Sequence, residues 1–216
     1  MAIRDHTLDE KIIEAATREF LEHGFQHASL RKIATRAGIT TGALYTRYRN
    51  KDVLFASLVE SILEEMRQSW EPMSRVYQRA KNDPEKILRA IRQEEGIYLE
   101  LLFRHYDQCI LFFCRSEGSS VRRALDARMT EKARETARYF RDMARNEAEL
   151  QGIEFILSEQ MHYFRQILDR GLTRDRAMAC MKTVERFLEA GWQALFREMT
   201  ETTADPAESE ETEEKL

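Results

Sequence analysis

The chain has 216 residues, of which 43% are hydrophobic and 33% charged, and its formal net charge is −4 at pH 7. Only 8 Gly and 3 Pro are present, which favours long helices over a turn-rich sandwich or barrel. The longest apolar run, residues 109–114, is too short to cross a membrane. With three Cys and no apolar leader, the composition predicts a soluble cytoplasmic protein with reduced thiols.

The first predicted helix covers about Thr7 to His23. Leu8, Ile12, Ala16 and Phe20 recur every four residues, which is the spacing of one buried helix face. Thr7 is placed to act as the N-cap, and Gly24 to end the helix with a positive φ.

Two short helices and the start of a long one follow. Ser29 caps a second helix that ends at Gly38, and Thr40 or Thr41 caps a third that contains Leu44. The fourth helix begins after Asn50. Its apolar residues are Val53, Leu54, Leu58 and Ile62.

The remaining sequence is also helical in pattern, with no strand-like alternation. Asp83 and Pro84 open a further helix, and residues 116–120 form a loop. We expect three later helices, at about Val121–Glu149, Ile153–Asp169 and Arg174–Met199. The fold class is therefore all-α with about nine helices. Its divisions are a three-helix helix-turn-helix domain at residues 1–50, an effector-binding and dimerisation domain at 51–199, and an acidic, disordered tail at 200–216.

The stretch from His23 to Lys51 contains six Lys and Arg residues and no Asp or Glu, although 38 residues of the chain are acidic. DNA carries dense negative charge, so a DNA-binding surface needs local basicity and few carboxylates whatever the net charge of the protein. This carboxylate-free window coincides with the two short helices and predicts a nucleic-acid interface.

Within the window, Ala34, Gly38 and Leu44 have the spacing of a helix-turn-helix. A small residue allows the helices to cross closely, a glycine allows the turn, and a leucine anchors the second helix on the first. The longer segment Phe20–Leu54, FLEHGFQHASLRKIATRAGITTGALYTRYRNKDVL, resembles the DNA-binding domain of the TetR family of transcriptional regulators. Tyr48 stands where the family usually has Phe, and Thr46 and Arg47 stand where aromatic residues or His are common.

The resemblance implies that the third helix enters the major groove of DNA. Ser29 and Arg31 of the second helix would contact the phosphate backbone, and Lys51 would bind a phosphate. The residues expected on DNA are Ser29, Arg31, Thr40, Thr41, Gly42, Ala43, Tyr45, Thr46, Arg47 and Lys51.

The resemblance also implies a homodimer whose last two helices from each subunit form a four-helix bundle. Both of these helices carry an apolar stripe, and each stripe could instead pack within its own subunit. The residues expected at the dimer interface are Ile156, Phe164, Leu168, Met181, Val184, Leu188 and Leu195.

A cavity for a small effector is harder to place from the sequence. Residues 105–117 mix aromatic and polar side chains, as a ligand pocket does, although each could pack in the core. The candidate ligand-binding residues are Tyr98, His105, Tyr106, Cys109, Phe113, Tyr139, His162, Tyr163 and Gln166. Cys109 and Cys114 are five residues apart, not neighbours on one face of an α-helix, and lack the CxxC pattern. We expect no metal site and no cofactor.

The function expected from these features is a ligand-responsive, homodimeric repressor that binds a palindromic operator. The sequence leaves two other classes of protein to consider. An enzyme is disfavoured because the chain has no catalytic sequence motif and no glycine-rich phosphate loop, and we expect no catalytic residues. A helical adaptor would leave the carboxylate-free window unexplained. The sequence does not distinguish repression from activation or name the effector, the operator or the regulated genes.

Overall fold

The computed structural model describes residues 6–81 and 83–201, and these residues form helices with no β-strand among them. The α-helices are α1 (His6–His27), α2 (Leu30–Arg36), α3 (Thr41–Arg47), α4 (Lys51–Ala80), α5 (Pro84–Arg104), α6 (Tyr106–Cys109), α7 (Ser120–Ala137), α8 (Glu147–Ser158), α9 (Gln160–Asp169) and α10 (Arg174–Glu201). A π-helical segment, Ile110–Cys114, follows α6, and a 3₁₀ turn, Arg138–Phe140, follows α7. The all-α prediction is confirmed.

Side-chain caps place the helix starts in the first quarter of the chain where the sequence predicts them. The Ser29 hydroxyl accepts from the Lys32 N–H at 3.4 Å, and the Thr40 hydroxyl accepts from the Ala43 N–H at 3.1 Å. The amide oxygen of Asn50 accepts from the Val53 N–H at 2.8 Å at the start of α4. Each cap satisfies a backbone donor that its helix leaves free.

Gly24 interrupts α1 with a φ of 69°, as expected for a residue that ends a run of helix. A short turn, Phe25–His27, continues beyond it and is part of α1 as bounded above. This turn makes α1 longer than predicted, although the main run of the helix ends at Gly24, as the sequence indicates.

The helix predicted over residues 121–149 is wrong. Helix α7 ends at Ala137, the chain turns through the fully buried Phe140, and Asn146 caps α8 by accepting from the Glu149 N–H at 2.9 Å. Helix α8 then packs against α7. Helical spacing in the sequence reports which face is apolar, and it does not reveal this change of direction.

The single helix predicted over residues 153–169 is also wrong, because the helix is interrupted at Glu159, between α8 and α9. The last helix runs from Arg174 to Glu201, two residues beyond the predicted end. Thr200 and Glu201, which the sequence predicts to belong to the acidic tail, are therefore part of α10. The rest of that predicted tail, residues 202–216, lies outside the described residues.

Two apolar cores hold the described helices together. The first joins α1–α4 to the middle of the chain through buried residues such as Phe20, Phe55 and Phe112. The second holds the far end of the molecule, where the rings of Phe140 and Trp192 stack at 5.3 Å and those of Phe140 and Phe196 at 5.8 Å. In the part of the chain that the structure describes, no helix is both long and apolar enough to span a bilayer.

Candidate nucleic-acid interface

Helices α2 and α3 form a helix-turn-helix whose turn is fixed by backbone geometry. Gly38 has a φ of 72°, and the Ile39 N–H donates to the Ala34 carbonyl at 3.0 Å. Leu44 is 1% exposed and packs in the core that also contains Ile33 and Ala34. One face of α3 is thus anchored on α2, which leaves its opposite face toward solvent.

The solvent face of α3 carries Gly42, Tyr45 and Thr46, all of which are exposed. Tyr45 is 49% exposed, which is unusual for a large aromatic side chain in an otherwise packed domain. The Thr46 hydroxyl donates to the Gly42 carbonyl at 3.0 Å, so its methyl group is held in one orientation. Thr41 and Ala43 are partly buried beside this face, and Thr40 is exposed at its N-terminal end.

Three exposed cations, Arg31, Lys32 and Arg49, form no ion pair with any acidic side chain among the described residues. Arg36 is 3.7 Å from the Glu19 carboxylate, which is within ion-pair distance. Arg31, Lys32 and Arg49 therefore carry the uncompensated positive charge of this surface. Ser29, predicted on DNA, is partly buried and caps α2.

Two of the predicted DNA contacts have partners inside the protein instead. The Arg47 Nε donates to the Asp9 carboxylate of α1 at 3.0 Å, and both side chains are more than three-quarters buried. The Lys51 ammonium donates to the carbonyls of Gln26 and Ala28 at 3.0 and 3.3 Å. It also lies 4.9 Å from the centre of the Phe25 ring, a cation–π contact.

Arg47 is therefore not an uncompensated charge, and the structure gives Lys51 a role in holding the end of α1. The sequence expectation treated both as outward-facing. It missed Asp9 because that residue lies outside the window and 38 positions from its partner.

Glu19 is a further residue that sequence reasoning missed. Its side chain is fully buried on α1, and one carboxylate oxygen accepts from the Ser29 N–H at 3.1 Å. The other oxygen has no hydrogen bond, although Arg36 approaches to 3.7 Å. This carboxylate fixes the start of α2 relative to α1. The sequence does carry a signal for this role of Glu19. The pattern of Ile12, Ala16 and Phe20 predicts an apolar residue at position 19, and a charged residue stands there.

Helices α1 and α4, which flank the helix-turn-helix, form hydrogen bonds with the C-terminal half. The Phe25 N–H donates to the Arg115 carbonyl at 2.8 Å, and the Arg115 Nε donates to the Leu21 carbonyl at 3.0 Å. The Asp52 carboxylate accepts from the Ser120 N–H at 2.8 Å, at the start of α7. Arg115 directly follows the π-helical segment Ile110–Cys114, and π-helical turns are frequent at functional sites.

The nine predicted ligand-binding residues do not converge on one cavity. Tyr98 and Tyr139 lie near the buried Glu94, whereas Phe113 and His162 line a separate open groove. The others are distributed as follows: His105 pairs with Glu65, Tyr106 stacks on Phe103, Cys109 is fully buried, Tyr163 is partly buried, and Gln166 bonds to His162 and Arg170. The structure does not bring the predicted set together at one place, and ligand binding by any of these residues stays a prediction.

The structure instead centres a buried polar cluster on Glu94, which is 4% exposed. The hydroxyls of Tyr77 and Tyr98 donate to its carboxylate at 2.9 and 3.2 Å, and the Lys132 ammonium pairs with it at 2.6 Å. Burial, and then the negative charge of Glu94, raise the pKa of both tyrosines well above their usual range. Both hydroxyls therefore stay protonated and donate.

Glu94 and its neighbour Glu95 occupy positions where the apolar pattern of α5 predicts core residues, three and four places after Ile91. Two adjacent acids on a buried face were the signal that could have found this cluster. The Arg128 guanidinium also lies over the Trp70 ring at 4.5 Å, beside the same cluster. In the described residues, no group of three or more His, Cys, Asp and Glu side chains is arranged to hold a metal ion.

Cys109 is fully buried at the end of α6, and Cys114 is partly buried at the end of the π-helical segment Ile110–Cys114. Burial raises the pKa of each thiol to about 12, so both are protonated at neutral pH. Protonated thiols are poor nucleophiles, so neither cysteine is activated for reaction.

Three of the predicted interface residues are core residues of the chain itself. Phe164, Leu168 and Met181 are only 2%, 4% and 5% exposed in a single chain, which leaves little of their surface for a second copy to cover. Ile156 is 42% exposed, and Val184, Leu188 and Leu195 are partly exposed. Two residues outside the prediction, Phe155 and Phe187, are the most exposed large apolar side chains, at 70% and 78%.

Comparisons with known proteins agree with the geometry of α1–α4. Residues 12–58 match the family described as bacterial regulatory proteins, tetR family. An uncharacterized HTH-type transcriptional regulator of Bacillus subtilis, YhgD, is 34% identical over 64 residues. That match covers 29% of this chain and 34% of the relative, so it spans about a third of the relative's length.

Solved structures of similar fold cover much more of the chain. A TetR-like transcriptional regulator from Rhodococcus has a TM-score of 0.55 at 16% identity, over 88% of this chain and 99% of that protein. NalD, the secondary repressor of the MexAB-OprM multidrug efflux pump in Pseudomonas aeruginosa, has a TM-score of 0.55 at 20% identity, over 84% and 96%. Residues 12–58, which contain this helix-turn-helix geometry, are thus similar to the tetR family of bacterial regulatory proteins, and most of the chain shares its fold with a TetR-like regulator.

Proposed function

We propose that the chain is a homodimeric transcriptional repressor that binds a palindromic DNA operator through α3 and is released by a small organic effector. The observation that carries this proposal is the division of α3 into two faces. Leu44 is buried on one face, and Gly42, Tyr45 and Thr46 are exposed on the other, beside cations without acidic partners.

This arrangement suits duplex DNA in shape and in charge. An α-helix fits the major groove, where a threonine methyl and an aromatic ring can contact base edges. Arg31 and Lys32 on α2 can bind phosphates on one side of the groove, and Arg49 can bind one beyond α3. Gly42 lets the helix approach the backbone closely because it has no side chain.

The relatives support a regulatory role by name. The matched relative in Bacillus subtilis is called a transcriptional regulator, and NalD is described as a repressor. The match covers about a third of the Bacillus subtilis protein, and NalD is 20% identical to this chain. The operator, the effector and the direction of regulation are therefore proposals for this chain.

The apolar surface on α8 and α10 supports the dimer. Phe155 and Ile156 on α8, with Val184 and Phe187 on α10, expose apolar area that would cost free energy in water. A second copy related by a two-fold axis would bury the same patch on both subunits. It would also set the distance between two α3 helices, as a palindromic operator requires.

The contacts at Arg115 and Asp52 support a route from effector to DNA. A rearrangement of α7 would act directly on the start of α4 through the Ser120–Asp52 hydrogen bond. A shift of the π-helical segment would act on the end of α1 through Arg115. An effector that binds one arrangement of these helices better would shift the population toward it and change the spacing of the α3 helices.

The proposal is tested by fluorescence anisotropy with the full chain and duplexes tiled across the region upstream of its own gene. We expect one duplex that contains an inverted repeat to bind at least a hundredfold more tightly than a shuffled duplex of the same composition. Equal affinity for all duplexes would contradict the proposal.

A further inference from the structure

Glu95 differs from the neighbouring Glu94 although both are buried. Glu95 is 6% exposed, and its carboxylate accepts a hydrogen bond from the Gln160 amide at 3.3 Å. Among the described residues, no Lys, Arg or His lies within ion-pair distance of it, whereas Glu94 has Lys132 and two tyrosine hydroxyls. A buried carboxylate without a cation is costly, and the cost is removed when a cation binds.

Cavities flank Glu95 on two sides. On the inner side, a void of about 20 Å³ reaches toward Glu94 and has room for about one water molecule. On the outer side, a crevice of about 230 Å³ lies between α5 and α10. The inner void is too small for an organic ligand, while the crevice is close to the lower size limit of small-molecule sites.

The crevice combines an apolar lining with a rim of mixed charge. Leu99, Met178 and Met181 supply apolar area, and methionine thioethers adapt to irregular ligand shapes. Gly96 has no atom within 4 Å of the position where a Cβ would stand, so the crevice is open at this point beside Glu95. The rim carries Glu100, Arg174, Lys182 and Glu185, of which Arg174 is already paired with Glu100.

We propose that Glu95 anchors the cationic head of a compact organic ammonium or guanidinium compound whose apolar part lies on Leu99, Met178 and Met181 in the crevice between α5 and α10. This inference rests on the proposed function, since it names the chemical class of the effector. A neutral ligand would leave Glu95 without an ionic partner. An anionic ligand would face Glu95 together with Glu94 and Glu185.

The ionisation of Glu95 makes binding dependent on pH. Burial raises the pKa of Glu95 to about 7, with further contributions from the negative charges of Glu185 and Glu94 and an opposing one from Arg92. The other charged groups at the crevice are Glu100, Arg174 and Lys182. With a pKa of about 7, the carboxylate is about one-tenth ionised at pH 6 and nine-tenths ionised at pH 8. Affinity for a permanent cation should rise by roughly ninefold over that range, because the cation binds the ionised form.

The test is isothermal titration calorimetry of the full chain with benzyltrimethylammonium and with neopentylbenzene, its uncharged isostere. We expect the cation to bind at least tenfold more tightly than the isostere at pH 8. The variant Glu95→Gln should lose at least tenfold of the cation affinity, together with its rise between pH 6 and pH 8. Glu85→Gln, the same substitution at an exposed position of α5, should retain both.

Equal affinity for cation and isostere, or an unchanged affinity in Glu95→Gln, would overturn the inference. Thermal unfolding of each variant shows whether it is folded, and the pH dependence of the wild-type protein tests the same carboxylate without any substitution. Operator binding is measured separately by anisotropy. Operator binding without cation binding overturns this site alone, and cation binding without operator binding overturns the repressor and supports the site.

Discussion

Asp9 on α1 and Arg47 at the end of α3 form an ion pair across the DNA-binding domain, with 3.0 Å between the Asp9 carboxylate and the Arg47 Nε. The pair joins the first and third helices, and both side chains are largely buried. It therefore holds the orientation of α3, which presents Tyr45 to solvent.

The coupling between these two residues can be measured. A double-mutant cycle with Asp9→Ala, Arg47→Ala and the double variant should give a coupling of about 1 kcal/mol in the free energy of unfolding, because the pair is partly buried and hydrogen-bonded. The exposed pair Glu71–Arg75 on α4 is the control, with an expected coupling of about 0.5 kcal/mol or less. A coupling for Asp9 and Arg47 no larger than the control would show that the pair does not fix α3.

Lys51→Met removes the ammonium that binds two carbonyls at the end of α1 and lies over Phe25. We expect the free energy of unfolding to fall by about 1–2 kcal/mol, from two lost hydrogen bonds and one lost cation–π contact. Lys32→Met, at an exposed position on α2, should change it by less than about 0.5 kcal/mol. Urea unfolding followed by circular dichroism checks both. If Lys51→Met leaves stability unchanged and lowers only DNA affinity, Lys51 is free to bind a phosphate after all.

Tyr45→Ala should separate binding from stability. The side chain is half exposed, so its removal should change the melting temperature by no more than about 2 °C. Affinity for the operator duplex should fall at least tenfold in the anisotropy assay, because we propose that the ring contacts DNA. Tyr45→Phe distinguishes the hydroxyl from the ring. Full affinity in Tyr45→Ala would place DNA away from the exposed face of α3.

Glu95 makes the stability of the protein depend on pH. Its pKa rises from the ordinary 4.5 to about 7 in the folded chain, first because of burial. The folded state therefore binds this proton more tightly than the unfolded state does. The associated stability is present in full below about pH 4.5 and is lost as the pH rises through 7, by on the order of 3 kcal/mol.

Melting temperatures of the wild type and Glu95→Gln between pH 5 and pH 8 check this dependence. The neutral amide carries no such cost, so we expect the advantage of Glu95→Gln over the wild type to grow across this range. Parallel curves for the two proteins would show that Glu95 does not titrate in this interval.

The sequence predicts the helix-turn-helix well because its determinants are local. The caps at Ser29, Thr40 and Asn50 act over three residues, and Gly38 acts within one turn. The Asp9–Arg47 pair joins residues far apart in the chain, and no local pattern indicates it. The turn at Phe140 and the cluster around Glu94 depend likewise on how distant helices pack. For the same reason, the candidate ligand residues could be found by type but not by location.

Phosphate binding by the face formed by α2 and α3 is tested most directly by the salt dependence of operator affinity. The proteins compared are the wild type, Arg31→Ala and Arg186→Ala, the last at an exposed arginine of α10. Log K falls as log salt rises, and each lost phosphate contact makes this slope shallower by about 0.9. A dimer of Arg31→Ala loses two contacts, so its slope should be shallower by about 2. Arg186→Ala should keep the wild-type slope. An unchanged slope in Arg31→Ala, or an equal change of slope in both variants, would contradict phosphate binding by this face.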